Sequence, residues 1–308
     1  MNASVLRALT VAAVAFTALT CAAACGGDGA RAPEAAVPGA VLQDAAPTIE
    51  PTPEGPKVPT VVLDPGHGGI EVGASDHGVV EKHSNLDMSL RIERLLQAAG
   101  VRVVLTRRED RRLAEQPAAR SAFSATRYDL QARVDLANAE DADLFVSIHS
   151  NGSTDAGQNG VEVWFDPNRQ FGAENRLLAE TVLDRVLGEL QAHGYAATDR
   201  GIKDDTCFRF RAGRCFPLFL LGVERTITRA ELIRRGVDPD ALGLPPGEEI
   251  ITTRATAMPG VLVELLFISN PSDAAMLRDE GARDVMARGV ATAVLQMLHL
   301  TPAEAVVE

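Results

Sequence analysis

Short apolar, β-branched runs alternate with stretches of helical spacing along most of this chain, and that alternation leaves few ways to fold. Val61-Val62-Leu63 stops at Asp64-Pro65-Gly66 and reads as a buried strand entering a loop. Met88, Ile92, Leu95, Leu96 and Ala99 then repeat at helical spacing, with Gly100 where a C-terminal cap belongs. Val101 to Thr106, Leu144 to His149, Val161 to Phe165, Pro217 to Val223 and Val261 to Phe267 read as further strands. Leu130, Val134 and Ala137 mark a short helix; Leu178, Val182, Val186 and Leu190 mark a long one; Val285, Val290, Val294 and Leu298 mark the last. The expected fold is a single α/β domain, a twisted and mostly parallel sheet flanked by helices on both faces, over residues 58–300. In such sheets functional groups collect at the carboxyl ends of strands.

The ends of the chain read differently. Residues 1–24 place Arg7, an apolar run and Ala22-Ala23-Ala24 in the order of a secretory signal, followed by Cys25. The three residues before Cys25 resemble a bacterial lipobox with Ala22 in the usual Leu position, so Cys25 is a candidate lipid anchor to a membrane. Six prolines between Pro33 and Pro56, with no apolar period, make 25–57 a solvated linker. Residues 301–308 are a tail. The formal net charge of -12 disfavours binding to nucleic-acid phosphates. Once the signal is removed, Cys207 and Cys215 are the two cysteines besides Cys25. Outside the cytosol they can close a disulfide, the alternative being two free thiols.

Four polar residues sit oddly for a plain core. His67 lies among Gly66, Gly68 and Gly69 just past the first strand, and by itself reads more readily as a tight turn with an exposed histidine. His149 ends a strand, and Glu81 precedes the first helix. Glu264 interrupts the apolar strand Val261–Phe267, where a carboxylate is costly unless paired with an arginine, protonated or close to a metal. Two histidines and a glutamate at loop and strand-end positions suit a catalytic zinc, which takes three N or O ligands and keeps a water. Glu264 then supplies the missing acid/base. His77 and His83 flank Glu81 and are rival ligands.

The ordered motifs resemble those of the zinc-dependent N-acetylmuramoyl-L-alanine amidases of the AmiC/LytC-like group, from about Thr60 to Leu298. They are Val61 through Gly69, Glu81-Lys82, Val104 through Arg107, Arg133 through Asn138, Ala142 through Asn151, Asp199 through Lys203, Met258 through Glu264 and Ser269-Asn270-Pro271. The resemblance implies one Zn²⁺ held by His67, Glu81 and His149, with Glu264 catalytic, and peptidoglycan as substrate. Arg133, Asn138 and Asn151 match polar family positions near the site. The implied activity cleaves the amide between the lactyl group of N-acetylmuramic acid and L-alanine, in the periplasm or cell envelope; any protein activator is unknown. A zinc carboxypeptidase acting on the stem peptide and an inactive wall-binding module are the alternatives. Residues 204–255 form an insertion carrying both cysteines, several phenylalanines and Thr228-Arg229-Ala230-Glu231, a capping pattern for a short helix. It reads as a decoration with one extra strand, or as a rim that shapes the substrate groove.

Overall fold

Six strands form the central sheet: β1 (Thr60–Pro65), β2 (Arg102–Leu105), β3 (Leu144–Asn151), β4 (Val161–Phe165), β5 (Asp199–Asp204) and β6 (Gly260–Phe267). Their order across the sheet is β2-β1-β3-β6-β4-β5. All neighbouring pairs are parallel except β6 and β4. The computed structural model describes residues 57–114, 122–211, 214–234, 236, 238–241 and 251–301. The export signal at 1–24, Cys25, the linker up to residue 56 and the tail beyond Thr301 lie outside the described residues.

The helices are α1 (Glu81–Ala98), α2 (Ala122–Ala139), α3 (Gly172–Ala192), α4 (Arg229–Arg234), α5 (Pro271–Arg278) and α6 (Glu280–Met297). Side chains alternate between the faces of a strand, and here the two faces meet different partners. Val61, Leu63, Val146, Ile148, Val261 and Val263 pack with α1, α3 and α6 in the larger core. Val62, Phe145 and Leu262 face the other way, toward Val134 and Ala137 of α2 and Leu220 and Leu221 of the insertion. The helices thus lie on both faces.

Local chemistry sets the element ends. Gly100 has φ +82° and donates to the Gln97 carbonyl, closing α1. Asn270 accepts from Ser272 N (3.0 Å) and Asp273 N (3.1 Å), with Pro271 opening α5. Thr228 Oγ1 accepts from Glu231 N at 3.1 Å at the start of α4.

One expected strand is absent. Pro217–Val223 folds as a turn, with Gly222 N bonded to the Leu218 carbonyl at 3.0 Å. Pro217 has no N–H to give a ladder, and the run buries Leu220 and Leu221 directly against the smaller core face. The insertion's strand content lies instead in a hairpin of Arg209–Arg211 with Arg214–Phe216 and a ribbon of Arg225–Ile227 with Ile251–Thr253. A disulfide joins Cys207, in the turn just before that hairpin, to Cys215 in its second strand. The polar strand β5, which pairs at the sheet edge with β4, carries no apolar signal of its own.

Helices α3 and α6 approach closely at Gly289, where an added Cβ would stand 2.8 Å from Val186 Cα. Gly289→Val forces these helices apart and is expected to destabilise the fold by about 1–3 kcal/mol. The urea midpoint measures it, and an unchanged midpoint contradicts this packing account.

Candidate metal centre and active site

Sheet register places the functional carboxylates. In the parallel pair β3/β6, His149 stands opposite Glu264, and in the antiparallel pair β6/β4, Glu264 stands opposite Glu162. His149, Glu264 and Glu162 therefore form one row across three strands. They share a face with Phe145 and Leu262, so the side that begins as apolar core turns polar toward the carboxyl end of β3 and β6.

His67, Glu81 and His149 converge, each offering a ligand atom within 4.8 Å of the others. Glu81 Oε1 lies 3.0 Å from His67 Nε2 and 2.9 Å from His149 Nδ1. Its other oxygen accepts from Ala74 N at 2.7 Å. As the first residue of α1, the carboxylate also gains from the helix N-terminus. Burial acts to raise the Glu81 pKa, but the two imidazoles outweigh it and hold the group well below the usual carboxylate range. The rival histidines stay outside: His83 Nε2 meets Asp110 at 3.3 Å, and the His77 carbonyl accepts from Arg278.

The loop bearing His67 is clamped from beneath. Arg133, 1% exposed, donates to Asp64 Oδ1 (2.8 Å), the Pro65 carbonyl (2.9 Å), the His67 carbonyl (2.8 Å) and Asp129 Oδ2 (2.9 Å). Asp64, fully buried, also accepts from Thr106 (2.6 Å) and Ser147 (2.7 Å). Arg107 donates to the carbonyls of Pro65 (2.9 Å), Gly66 (2.9 Å) and Lys82 (2.7 Å). Gly66 itself runs under the His149 ring, since a Cβ there would stand 2.2 Å from Cε1 and Nε2. That contact aims the opposite nitrogen, Nδ1, at Glu81.

Glu264 is half-buried, and its Oε2 is buried with no hydrogen-bond partner. It has no ion pair with an arginine among the described residues. Burial first, then the carboxylates of Glu81 and Glu162, push its pKa well above the ordinary value. Glu162 differs: Oε1 accepts from Asn151 (3.0 Å) and Trp164 (3.1 Å), and Oε2 from Arg200 (2.8 Å). Its oxygens are occupied, so Glu264 is the carboxyl left available.

Of the three polar family positions, Arg133 holds the His67 loop and Asn151 holds Glu162. Asn138 bonds elsewhere. It donates to the Ala255 carbonyl (2.9 Å) and accepts from Ala257 N (2.7 Å), ahead of the start of β6 and so away from the end that carries Glu264. Asp64, Arg107, Glu162 and Arg200 were not singled out as site residues from sequence. The signal for Asp64 and Arg107 was a charge at the very end of an apolar strand.

A parallel-rich sheet with helices on both faces thus carries, beside the carboxyl ends of its strands, a His-Glu-His cluster able to hold a metal ion. The family model described as N-acetylmuramoyl-L-alanine amidase matches residues 61–296. The chain belongs to this family, and its class of activity is that of a peptidoglycan amidase. It is 29% identical over 231 residues to the amidase LytC of Bacillus subtilis, covering 75% of this chain and 34% of LytC. It is 28% identical over 253 residues to AmiA of Escherichia coli, covering 78% and 76%. The catalytic domain of CwlV from Bacillus (Paenibacillus) polymyxa superposes with TM-score 0.52 at 26% identity, covering 79% of this chain and 100% of that one.

Removing Arg133 leaves Asp64 buried without its counter-charge, so Arg133→Met is expected to cost about 3–5 kcal/mol. Although burial acts to raise the Asp64 pKa, Arg133, Thr106 and Ser147 more than offset it and lower it overall. Stability from the pair is therefore fully present above the unfolded-state pKa of ~3.9 and is lost as pH falls through the lower folded value. The urea-midpoint gap between wild type and variant should narrow as pH falls from about 7 to about 3. A gap constant with pH contradicts the assignment.

Proposed function

We propose that this chain hydrolyses the amide joining the lactyl group of N-acetylmuramic acid to the L-alanine of the stem peptide, using one zinc ion held by His67, Glu81 and His149. The observation that carries this reading is the convergence of those three donors beside Glu264, the carboxyl with a buried, unpartnered oxygen. Two imidazole nitrogens and one carboxylate fit Zn²⁺ and leave a position open. A zinc ion held by these residues would lower the pKa of a bound water and polarise the substrate carbonyl.

The protein's own groups do the rest. Glu264 accepts the proton of the attacking water at its free oxygen and hands it to the departing alanine nitrogen. The buried setting and neighbouring carboxylates that raise its pKa make its ionised form the stronger base for that proton. Glu162 takes no proton in this scheme, because Asn151, Trp164 and Arg200 already occupy its oxygens. Arg133 and Arg107 keep His67 and Gly66 in place beneath the ligands. The products are a glycan strand and a free stem peptide. A substrate in the cell wall supports export of the chain through residues 1–24, with Cys25 as the lipid attachment point.

Digestion of purified sacculi, with zinc content measured in parallel, tests the scheme. Glu264→Gln should keep one zinc per chain and lose activity by about 10²–10⁴-fold, whereas His67→Ala should lose the zinc. Full peptide release by Glu264→Gln, or a stoichiometric zinc in His67→Ala, overturns the assigned roles.

A further inference from the structure

Glu264 does not share its hollow with the whole metal cluster. It lines a cleft of about 400 Å³ together with Asn151, Gln158, Glu162, Trp164, Arg200 and Phe208. A second cleft of about 470 Å³ holds His67 and Glu81, and the two meet at Gly152 and Ser153. The substrate of the proposed reaction also has two halves, a sugar and a peptide, joined at the bond to be cut.

The aromatic wall of the Glu264 cleft is assembled from two parts of the chain. Trp164, the single tryptophan of the sequence, comes from the sheet and is oriented by its Nε1 bond to Glu162. Phe208 comes from the insertion and meets the indole edge-on, with centroids 4.9 Å apart and an interplanar angle of 86°. It follows directly on Cys207, whose disulfide to Cys215 closes the hairpin carrying it. The insertion therefore delivers a side chain to the cleft that contains the catalytic candidate.

Charge indicates what the cleft accepts. Asp155 and Glu162 line it beside the Glu264 carboxyl, and its cation, Arg200, is already matched to Glu162 at 2.8 Å and stacked over Phe267, which leaves the Asp155 charge unmatched. A ligand bearing free carboxylates meets a negative surplus there. Stem peptides carry such groups. The glycan does not, because the lactyl carboxyl of each substituted muramic acid is tied up in the amide. Indole and phenyl surfaces form an apolar wall, and the polar side chains beside it, Asn151, Gln158 and Arg200, are held in fixed positions by bonds to Glu162, Asp155 and each other. That combination matches a pyranose ring bearing hydroxyls and an N-acetyl group.

We propose that this cleft is the subsite for an N-acetylated amino sugar of the glycan strand, and that the disulfide-closed loop at Cys207–Cys215 exists to supply its Phe208 wall. The proposal rests on the amidase reading, since it assigns one half of that substrate.

Trp164 provides the readout. Its fluorescence in the zinc-loaded chain is titrated with chitotetraose, a neutral N-acetylglucosamine oligomer, and separately with a stem tripeptide containing a diamino acid. Chitotetraose should give a saturable change, weakened about 5-fold or more in Phe208→Ala and in the double variant Cys207→Ser/Cys215→Ser. Circular dichroism establishes that each variant is folded, and Phe208→Ala should raise KM on sacculi with kcat retained. A saturable response to the tripeptide but not to the sugar assigns the cleft to the peptide amine and overturns the proposal. So does unchanged sugar affinity in a folded Phe208→Ala chain. Peptide release from sacculi without any sugar response overturns the subsite alone; sugar binding without peptide release overturns the amidase reading on which it rests.

Discussion

The buried pair of Arg133 and Asp64 is the interaction on which the centre depends. One guanidinium joins α2 to the end of β1 and reaches past the carboxylate to the Pro65 carbonyl and to the His67 carbonyl of the loop that follows. A buried ion pair of this kind contributes little net stability compared with an apolar filling, yet losing one partner is costly. What it supplies is position. The loop must turn His67 toward Glu81 with φ +62°, a conformation most side chains avoid. Arg133 and Arg107 hold that turn by its carbonyl oxygens and leave the imidazole free.

The second constraint is register. A slip of one residue in β6 would send Glu264 to the opposite face, into the larger core. The apolar partners of Leu262 on one face and of Val261 and Val263 on the other exclude that slip. The same packing that stabilises the sheet therefore aims the carboxyl. Asp273 secures the far end by accepting from Gly160 N and Phe267 N, each at 2.8 Å, which ties the end of β6 to the start of β4.

Two carboxylates in one row, Glu264 and Glu162, are separated in role by their partners. Glu162 has every oxygen engaged and stays a fixed charge. Glu264 has an unpartnered oxygen and feels that charge together with Glu81. Environment, not residue type, leaves one carboxyl with a free oxygen and fixes the other as a support. The insertion adds a third layer, since its disulfide hairpin brings an aromatic side chain to the cleft beside them.

Much of this was legible in the chain itself. Apolar runs of strand length, helical spacing and the caps at Gly100 and Thr228 depend on nearby residues, and the structure has them where local chemistry places them. A carboxylate inside Val261–Phe267 marked Glu264, because burial of an acid demands a reason. Tertiary structure decided the rest. By residue type alone Glu81, His77 and His83 are equivalent donors within one short segment, and only the family resemblance favours Glu81; in the structure the first residue of α1 is the one that faces His67 and His149. Pro217–Val223 is as apolar as a strand, but its place over the smaller core face and the missing proline donor make it a turn. The antiparallel step between β6 and β4, and the distance of Asn138 from the site, follow from how remote segments pair. Local energetics fix which element each segment forms; which side chains meet depends on packing between segments far apart in the chain, and composition and periodicity carry no record of that.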